Sequence, residues 1–153
     1  MISEAIRKAR IPDAPHLHRL INEFADKDLM LPRALNAIYE NIRDFFVVEE
    51  ENRILGCCAL HVTWGDLAEI KSLAVSETAQ GQGFGKELVT ACMDEAREMQ
   101  LPRVFALTYV PDFFVSLGFS RVDKSVLPHK IWSECINCPK FPDCGEEAVL
   151  IDL

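Results

Sequence analysis

The sequence predicts one domain of the mixed α/β class, built on a central, mostly antiparallel sheet flanked by helices. Its 153 residues, 49% hydrophobic and 26% charged, suit a single globular domain with one good core. The spacing of apolar residues changes along the chain from a helical to a strand pattern and back. A glycine-rich loop at residues 80–85 then opens the longest helical pattern.

The first half of the chain predicts two helices followed by an antiparallel meander. After a short edge strand at residues 5–9, Asp13 stands where a helix N-cap is expected, and apolar residues follow at three- and four-residue spacing. A second helix is predicted over residues 32–42. Three strands follow, separated by turn residues, at residues 45–48, 53–63 and 68–75.

The second half predicts a strand–helix–strand unit. The longest helix is expected over residues 85–99, because one face is lined by Leu88, Val89, Cys92, Met93 and Ala96. A strand at residues 103–109 precedes a short helix that starts at Pro111 and ends at Gly118. The sheet is then closed by strands around residues 119–122 and 148–152.

Charge and hydropathy exclude several classes of protein. The net charge of −8 opposes binding to nucleic acid, which normally needs a concentrated basic surface. The longest apolar stretch, residues 54–62, falls far short of the roughly 20 residues that span a membrane. No apolar signal core follows the basic residues near the N-terminus. We therefore expect a cytoplasmic protein without a membrane or nucleic-acid partner.

The six cysteines fall into two groups. Three lie within apolar runs and are predicted to be small core side chains: Cys57, Cys58 and Cys92. Three lie in the C-terminal segment 127–145: Cys135, Cys138 and Cys144. A structural zinc site normally has four protein ligands, so this second group is one short. No metal site is assigned, and zinc, a disulfide, a redox switch and plain burial stay open.

The loop Gln80-Gly81-Gln82-Gly83-Phe84-Gly85-Lys86 follows a strand and begins a helix, which is a phosphate-binding arrangement. Its spacing excludes two other anion motifs. A P-loop needs one more residue between its glycines and a hydroxyl where Glu87 stands. The dinucleotide motif is G-x-G-x-x-G, whereas this loop reads G-x-G-x-G. A plain turn is the remaining alternative, but three alternate glycines cost more backbone entropy than a turn requires.

The pattern Gln80-x-x-Gly83-x-Gly85 resembles the loop with which GNAT acetyltransferases bind the pyrophosphate of coenzyme A through main-chain N–H groups. The strand before it, residues 113–119 and the order of elements are also similar to that family, over nearly all of residues 1–153. The resemblance implies acetyl-CoA as co-substrate and a sheet whose fourth and fifth strands splay apart. It places these residues at acetyl-CoA: Leu73, Ala74, Val75, Gln80, Gly81, Gln82, Gly83, Phe84, Gly85 and Lys86.

A narrower resemblance is to the short bacterial N-acetylglutamate synthases, which lack an amino-acid-kinase domain. It rests on residues 31–33, 66–75, 107–109 and 127–144. It implies acetylation of L-glutamate, the opening step of arginine biosynthesis. The residues that it places at the acceptor are Leu31, Arg33, Lys71, Lys130 and Lys140. The alternative for these basic residues is that they are ordinary surface charges. The alternative acceptors are a peptide N-terminus and a polyamine, and the alternative function is a non-catalytic acetyl-CoA sensor. A homodimer is also left open.

Acetyl transfer needs a base, a polarised carbonyl and a proton for the thiolate. Glu69, on the strand that would line the cleft, is the candidate base, and its alternative is an exposed strand glutamate paired with Lys71. The N–H of Val75 resembles the family's carbonyl-polarising donor. Many relatives carry a tyrosine as the acid where this chain has Phe114, which we expect only to pack. Tyr109 is the substitute candidate, and protonation of the thiolate by water is the alternative.

Overall fold

The computed structural model describes residues 5–127 and 146–153 of the chain. The strands are β1 (Ile6–Lys8), β2 (Phe45–Glu50), β3 (Arg53–Trp64), β4 (Leu67–Val75), β5 (Arg103–Thr108), β6 (Ser120–Val122) and β7 (Glu147–Asp152). The helices are α1 (Ala14–Asp26), α2 (Leu35–Glu40), α3 (Phe84–Glu98) and α4 (Pro111–Ser116). None of the helices in these two stretches is long and apolar enough to cross a membrane.

The described strands form one sheet in the order β1-β2-β3-β4-β5-β7-β6. Neighbouring strands run antiparallel except β4 and β5, which run parallel. A parallel pair needs a crossover connection, and α3 supplies it here. The predicted mixed α/β fold with a mostly antiparallel sheet is therefore confirmed.

Helices cover both faces of this sheet. On one face, α3 buries the predicted stripe, which includes Leu88 and Val89, against Ile70 and the strands beside it. On the other face, α1 and α2 bury a second group of side chains against β2 and β3, including Leu17 and Ile38. Each fully buried aliphatic side chain of this kind contributes about 1.5–3 kcal/mol. The two apolar clusters fix the sheet between helical layers.

The first three cysteines lie in these cores, as predicted. Cys57, Cys58 and Cys92 are fully buried and carry free thiols. Burial raises the pKa of the Cys57 thiol to about 12. The neighbouring thiol of Cys92, together with burial, also raises the pKa of Cys58 well above its usual value. Because the thiolate is the reactive form, Cys57 and Cys58 are inert packing residues at neutral pH.

β4 leaves its neighbour β5 part-way along its length. The parallel pairing ends at Ile70. Two residues later, Ser72 has a φ of 56°, in the left-handed region that side chains rarely adopt. Ser72 and Leu73 together lie opposite the single residue Cys58 of β3, which defines a β-bulge. The strands thus separate where the backbone of β4 is locally distorted.

The bulge also reverses which residues of β4 face each core. Before it, Ala68 and Ile70 are buried against α3. After it, Leu73 and Val75 pack on that side, while Ala74 is buried with α1 and α2. One extra residue in a pattern of period two shifts every later side chain to the opposite face. The odd-numbered residues before the bulge therefore face away from α3.

The second helix is shorter than predicted. The expected range was residues 32–42, but α2 covers Leu35–Glu40 and a 3-10 turn follows at Ile42–Asp44. The side-chain amide of Asn22 explains the late start, because its oxygen accepts from the N–H of Arg33 at 3.3 Å and its nitrogen donates to the Arg33 carbonyl at 3.3 Å. This pairing with α1 holds Arg33 outside the helix.

Asp13 precedes α1 as predicted, but its carboxylate is turned towards Arg7 instead of capping the helix. Both Nη atoms of Arg7 donate to it, at 2.8 and 2.9 Å, and the N–H of Arg10 donates at 2.7 Å. Arg7 also donates to Glu49 at 2.7 Å. The guanidinium lowers the pKa of the Asp13 carboxyl, despite its burial. These contacts tie β1 to the start of α1 and to β2.

Candidate active site

The glycine-rich loop joins the end of β4 to the first turn of α3. Gly81 and Gly83 have φ values of 82° and 85°, and a Cβ on either would meet no described atom within 4 Å. Gly83 is the N-cap of α3, and no side chain in the described part of the chain caps this helix. Its first N–H groups therefore face open space, where the helix dipole favours an anion. Gln82 and Lys86 are exposed beside them.

Other residues of the loop have structural roles. The Nε2 of Gln80 donates to the carbonyl of Val75 at 3.0 Å, so this side chain closes the loop onto β4. The side chain of Phe84 is buried in the core under α3, which leaves only its N–H for a ligand. A Cβ on Gly85 would lie 3.6 Å from Cζ of Phe113, an ordinary contact distance. The conformational requirement for glycine therefore rests on Gly81 and Gly83.

The main chain of Val75 faces the gap that opens between β4 and β5. The N–H of the next residue, Ser76, donates to the carbonyl of Leu55 in the strand β3 at 2.7 Å. Successive residues of an antiparallel ladder point their main-chain groups to opposite sides, so those of Val75 point away from β3. The Val75 N–H is thus not used by β3, and its role as a carbonyl-polarising donor stays a prediction.

Glu69 lies on β4 just before the bulge and is buried, with 7% of its surface exposed. The alternative interpretation as an exposed strand glutamate is therefore wrong, although the partner it named is present. The Nζ of Lys71 lies 4.0 Å from Oε1 of Glu69. A carboxylate with so little solvent needs partners of opposite charge. The two residues form a charged pair on the face of β4 that points away from α3.

Arg33 reaches the same part of the sheet. Its guanidinium carbon lies 5.3 Å from the ring centre of Phe45, and its Nη1 donates to Oγ of Ser72 at 3.4 Å. Arg33 therefore contacts the residue that directly follows Lys71, although the two cations are far apart in sequence. Leu31 is exposed two residues before Arg33. Both residues that are predicted to contact carboxylates thus reach the region of the β4 bulge, Arg33 through Ser72 and Lys71 through its own position in the strand.

Ser72 is a candidate site residue that sequence analysis missed. Besides its contact with Arg33, its carbonyl accepts from Sγ of Cys57 at 3.3 Å. Residue type does not signal the left-handed conformation, since glycine, asparagine and aspartate usually adopt it. The available signal was the change from alternating apolar and charged residues at 68–71 to three consecutive apolar residues at 73–75.

Tyr109 follows the last residue of β5, Thr108, on the side where β5 has separated from β4. It is half-buried. Phe114, at the usual place of the acid, is buried and packs edge-to-face on Phe113 and Phe119, with ring centres 5.2 and 5.3 Å away. Phe114 therefore packs as predicted, and Tyr109 stays the candidate acid.

The profile of the acetyltransferase (GNAT) family matches residues 5–119, which include the sheet from β1 to β5, the glycine-rich loop and α3. The chain belongs to this family. Membership confirms the predicted superfamily and acyl transfer as the type of reaction. The GNAT fold also accounts for the observed order of elements and for the sheet with one parallel pair.

Several relatives of the chain carry acetyltransferase names. It is 39% identical over 145 residues to an uncharacterized N-acetyltransferase of Chlorobaculum tepidum, which covers 95% of this chain and 94% of the relative. It is 35% identical to an amino-acid acetyltransferase of Mycobacterium tuberculosis, over 84% of this chain and 75% of the relative. An amino-acid acetyltransferase of Neisseria meningitidis is 33% identical over 81% of this chain but only 29% of its own length.

Solved structures show the same similarity. N-acetylglutamate synthase of Neisseria gonorrhoeae, complexed with coenzyme A and N-acetyl-glutamate, has a TM-score of 0.88 and 28% identity over 97% of this chain. A Mycobacterium tuberculosis protein in complex with CoA has a TM-score of 0.83 and 31% identity over 97% of this chain and 98% of its own. This chain spans 34% of the gonococcal synthase and nearly all of the mycobacterial protein.

Part of the predicted GNAT site lies outside the described residues. The predictions concerned are Lys130 and Lys140 as substrate contacts, and the cysteine group Cys135, Cys138 and Cys144. Within residues 5–127 and 146–153, no group of three His, Cys, Asp or Glu side chains could hold a metal ion. The roles assigned to the acetyl-CoA loop, Glu69, Tyr109, Arg33 and Lys71 stay predictions.

Proposed function

We propose that this GNAT protein is an amino-acid N-acetyltransferase that transfers acetyl from acetyl-CoA to the α-amine of L-glutamate. Two contacts at the β4 bulge carry this proposal: Arg33 with Ser72, the residue after Lys71, and Lys71 with the buried Glu69. An acceptor with two carboxylates needs more than one cationic partner. The names of the mycobacterial, meningococcal and gonococcal relatives support an amino-acid acceptor, and the gonococcal complex supports glutamate.

The acetyl donor lies along α3 and β4 in this proposal. Its pyrophosphate binds the N–H groups at the start of α3, with Gly81 and Gly83 leaving room for the approach. The pantetheine arm then enters the gap between β4 and β5. There the N–H of Val75 donates to the thioester oxygen and stabilises the negative charge that develops on it during attack. The related structures that contain coenzyme A support this donor.

The acceptor lies on the opposite side of β4 from α3. The planar guanidinium of Arg33 can donate two parallel hydrogen bonds to a carboxylate. Its contact with the Phe45 ring keeps the guanidinium oriented. Lys71 adds a second positive charge that also balances Glu69. Lys130 and Lys140 are the proposed contacts of the side-chain carboxylate. The amine is then held near the buried carboxylate that must deprotonate it.

The reaction proceeds by attack of the neutral amine on the thioester carbon. Glu69 accepts the proton of the substrate ammonium, directly or through a water molecule. The N–C bond forms, the C–S bond breaks, and the thiolate leaves with a proton from Tyr109 or from water. The attacking nitrogen loses its second proton as the amide forms, and that proton replaces the one given to the thiolate. Acetylation of glutamate opens arginine biosynthesis, so we place the protein in that pathway and in the cytoplasm. A homodimer remains part of the proposal.

Thiol release from acetyl-CoA, measured with a panel of amino acids, polyamines and peptide N-termini, tests the function. We expect L-glutamate to give the highest kcat/KM. Turnover with other amines but not with glutamate would overturn the choice of acceptor. Binding of acetyl-CoA without turnover of any amine would instead favour a sensor, for which the missing hydroxyl at Phe114 is the supporting observation.

A further inference from the structure

We propose that His61 and Asp44 form a proton relay, which takes the substrate proton from Glu69 and passes it to solvent. This inference rests on the proposed acetyltransferase reaction and on Glu69 as its base. His61 is a positioning and relay residue that acts through Glu69, and Asp44 orients its ring. The relay does not depend on which amine is the acceptor.

His61 and Glu69 are direct neighbours across two strands. His61 of β3 is the cross-strand partner of Glu69 in β4, and Ala59 is the partner of Lys71. Directly opposite residues of an antiparallel pair point to the same face, with Cβ atoms about 4.5–5.5 Å apart. Cys57 and Ala59 are buried on the α1 and α2 side, so His61, two residues further on, also points to that side.

Asp44 holds the other edge of the His61 ring. It ends the 3-10 turn that leads into β2, on the far side of β3 from Glu69. Its Oδ2 lies 2.7 Å from Nδ1 of His61. An ionised carboxylate can only accept, so beside it Nδ1 carries a hydrogen, and in the neutral form of the ring Nε2 is then the acceptor. Nε2 lies on the opposite edge of the ring from Asp44.

Glu69, His61 and Asp44 form a path out of the protein, because His61 and Asp44 are more exposed to solvent than Glu69. Glu69 is nearly buried, with 10% of its side chain exposed. The side chains of His61 and Asp44 are 37% and 26% exposed. Within residues 5–127 and 146–153, the charged and titratable groups that the contacts and strand register place beside His61 are Asp44 from the 3-10 turn and Glu69 and Lys71 from β4. His61 is therefore the more solvent-accessible neighbour of the buried base.

The proton balance of the reaction requires such a path. The acceptor enters as an ammonium and becomes an amide, which removes two protons from its nitrogen. The departing thiolate takes up one proton, so one more must leave the site in every cycle. Glu69 has to lose that proton before the next turnover, although little of its surface meets water. Transfer to Nε2 of His61, and then to solvent, restores the carboxylate.

A structural link between the 3-10 turn and β3 is the competing explanation for the Asp44–His61 pair. The variants His61→Ala, His61→Gln and Asp44→Asn distinguish the two roles, with His16→Gln as the matched control on the exposed face of α1. The assay measures kcat and KM by thiol release in a buffer without imidazole. It uses the amine that the wild-type protein acetylates.

For the two His61 variants, we expect kcat to fall about tenfold or more, with the KM values of both substrates unchanged, since binding contacts are kept. Asp44→Asn should lower kcat in the same direction, because the ring loses its orienting acceptor. Added imidazole should restore most of the kcat of His61→Ala, and it should leave His16→Gln unaffected. A purely structural link would not respond to imidazole.

Either of two results with the His61 variants would overturn the relay while the proposed function stands. One is a kcat of His61→Gln within about twofold of wild type. The other is a loss in His61→Ala that imidazole fails to restore. If melting curves show that His61→Ala does not fold, an unchanged kcat in Asp44→Asn overturns the relay as well. A wild-type protein that binds acetyl-CoA but acetylates no amine overturns the proposed function, and the relay with it.

Discussion

Replacing Gly83 with alanine tests two proposed reasons for glycine at this position: its left-handed backbone conformation and the room that it leaves for the pyrophosphate. Gly83 has φ and ψ values of 85° and 6° at the N-cap of α3, and a Cβ there would meet no described atom within 4 Å. The cost to folding is therefore purely conformational, about 1–2 kcal/mol for an L-residue in the left-handed region. In a chain of this length, that cost lowers Tm by about 2–8 °C.

The same methyl group should also weaken acetyl-CoA binding. It would project into the open space before the first turn of α3, where we place the pyrophosphate. A lost contact of about 1.4 kcal/mol raises the Kd about tenfold. Thermal unfolding gives the first quantity, and calorimetric titration with coenzyme A at a temperature well below Tm gives the second. The KM for the acceptor should change little, since the acceptor lies on the other side of β4.

Gly65→Ala is the matched control, because Gly65 also faces open space but lies in the turn between β3 and β4 without a positive φ. We expect wild-type Tm and Kd values for it. A Gly83→Ala protein that melts early but binds coenzyme A like wild type would refute the placement of the pyrophosphate. A Tm equal to that of wild type would refute the conformational argument.

Three further variants test the acceptor side and the β1 edge. Glu69→Gln should lower kcat about 100-fold or more, with the KM for acetyl-CoA near wild type, because the proton acceptor is lost. Arg33→Ala should chiefly raise the KM for glutamate, about tenfold, if the guanidinium binds ground and transition states alike. Asp13→Asn should lower the free energy of unfolding at neutral pH. Arg7 depresses the pKa of Asp13, so the stabilisation is present above the unfolded pKa of about 3.9 and lost as the pH falls further.

Each of these expectations has a control and a contradicting result. For Glu69 the control is the exposed Glu98→Gln, and an unchanged pH–rate profile in Glu69→Gln would exclude it as the base. Arg33→Lys keeps the charge without the fork, so its KM should be intermediate, whereas an unaltered KM in Arg33→Ala removes Arg33 from the site. Urea titrations of Asp13→Asn and wild type should converge in acid, and a constant difference from pH 7 down to about pH 2 contradicts the linkage.

The fold was largely predictable because its elements follow local rules. The strand predicted at residues 53–63 is Arg53–Trp64, and the helix predicted at residues 85–99 is Phe84–Glu98. In both, the apolar period persists over enough residues to outweigh single exceptions. The start of α2 was not predictable in this way. It depends on the Asn22 amide of another helix, which pairs with Arg33.

The conformation of the glycine-rich loop was also predictable from sequence alone. Gly81 and Gly83 have left-handed backbones, as their residue type allows, and the helix that follows orients its own N–H groups. Every part of this feature lies within a few residues of chain. Spacing could therefore separate it from the P-loop and dinucleotide motifs without any tertiary information.

The acceptor side, by contrast, was decided by tertiary structure. Sequence analysis identified Glu69, Arg33 and Lys71 as candidates. It predicted neither the burial of Glu69 nor the bulge at Ser72, the residue beside Lys71 that Arg33 contacts. The cross-strand pairing of His61 with Glu69 was likewise not predictable from the sequence. Such contacts depend on the register between strands, which is set by packing across the whole sheet. Local composition determined the glycine-rich loop, where we propose that the donor binds. Long-range register determined the surroundings of Glu69, where we propose that the acceptor binds.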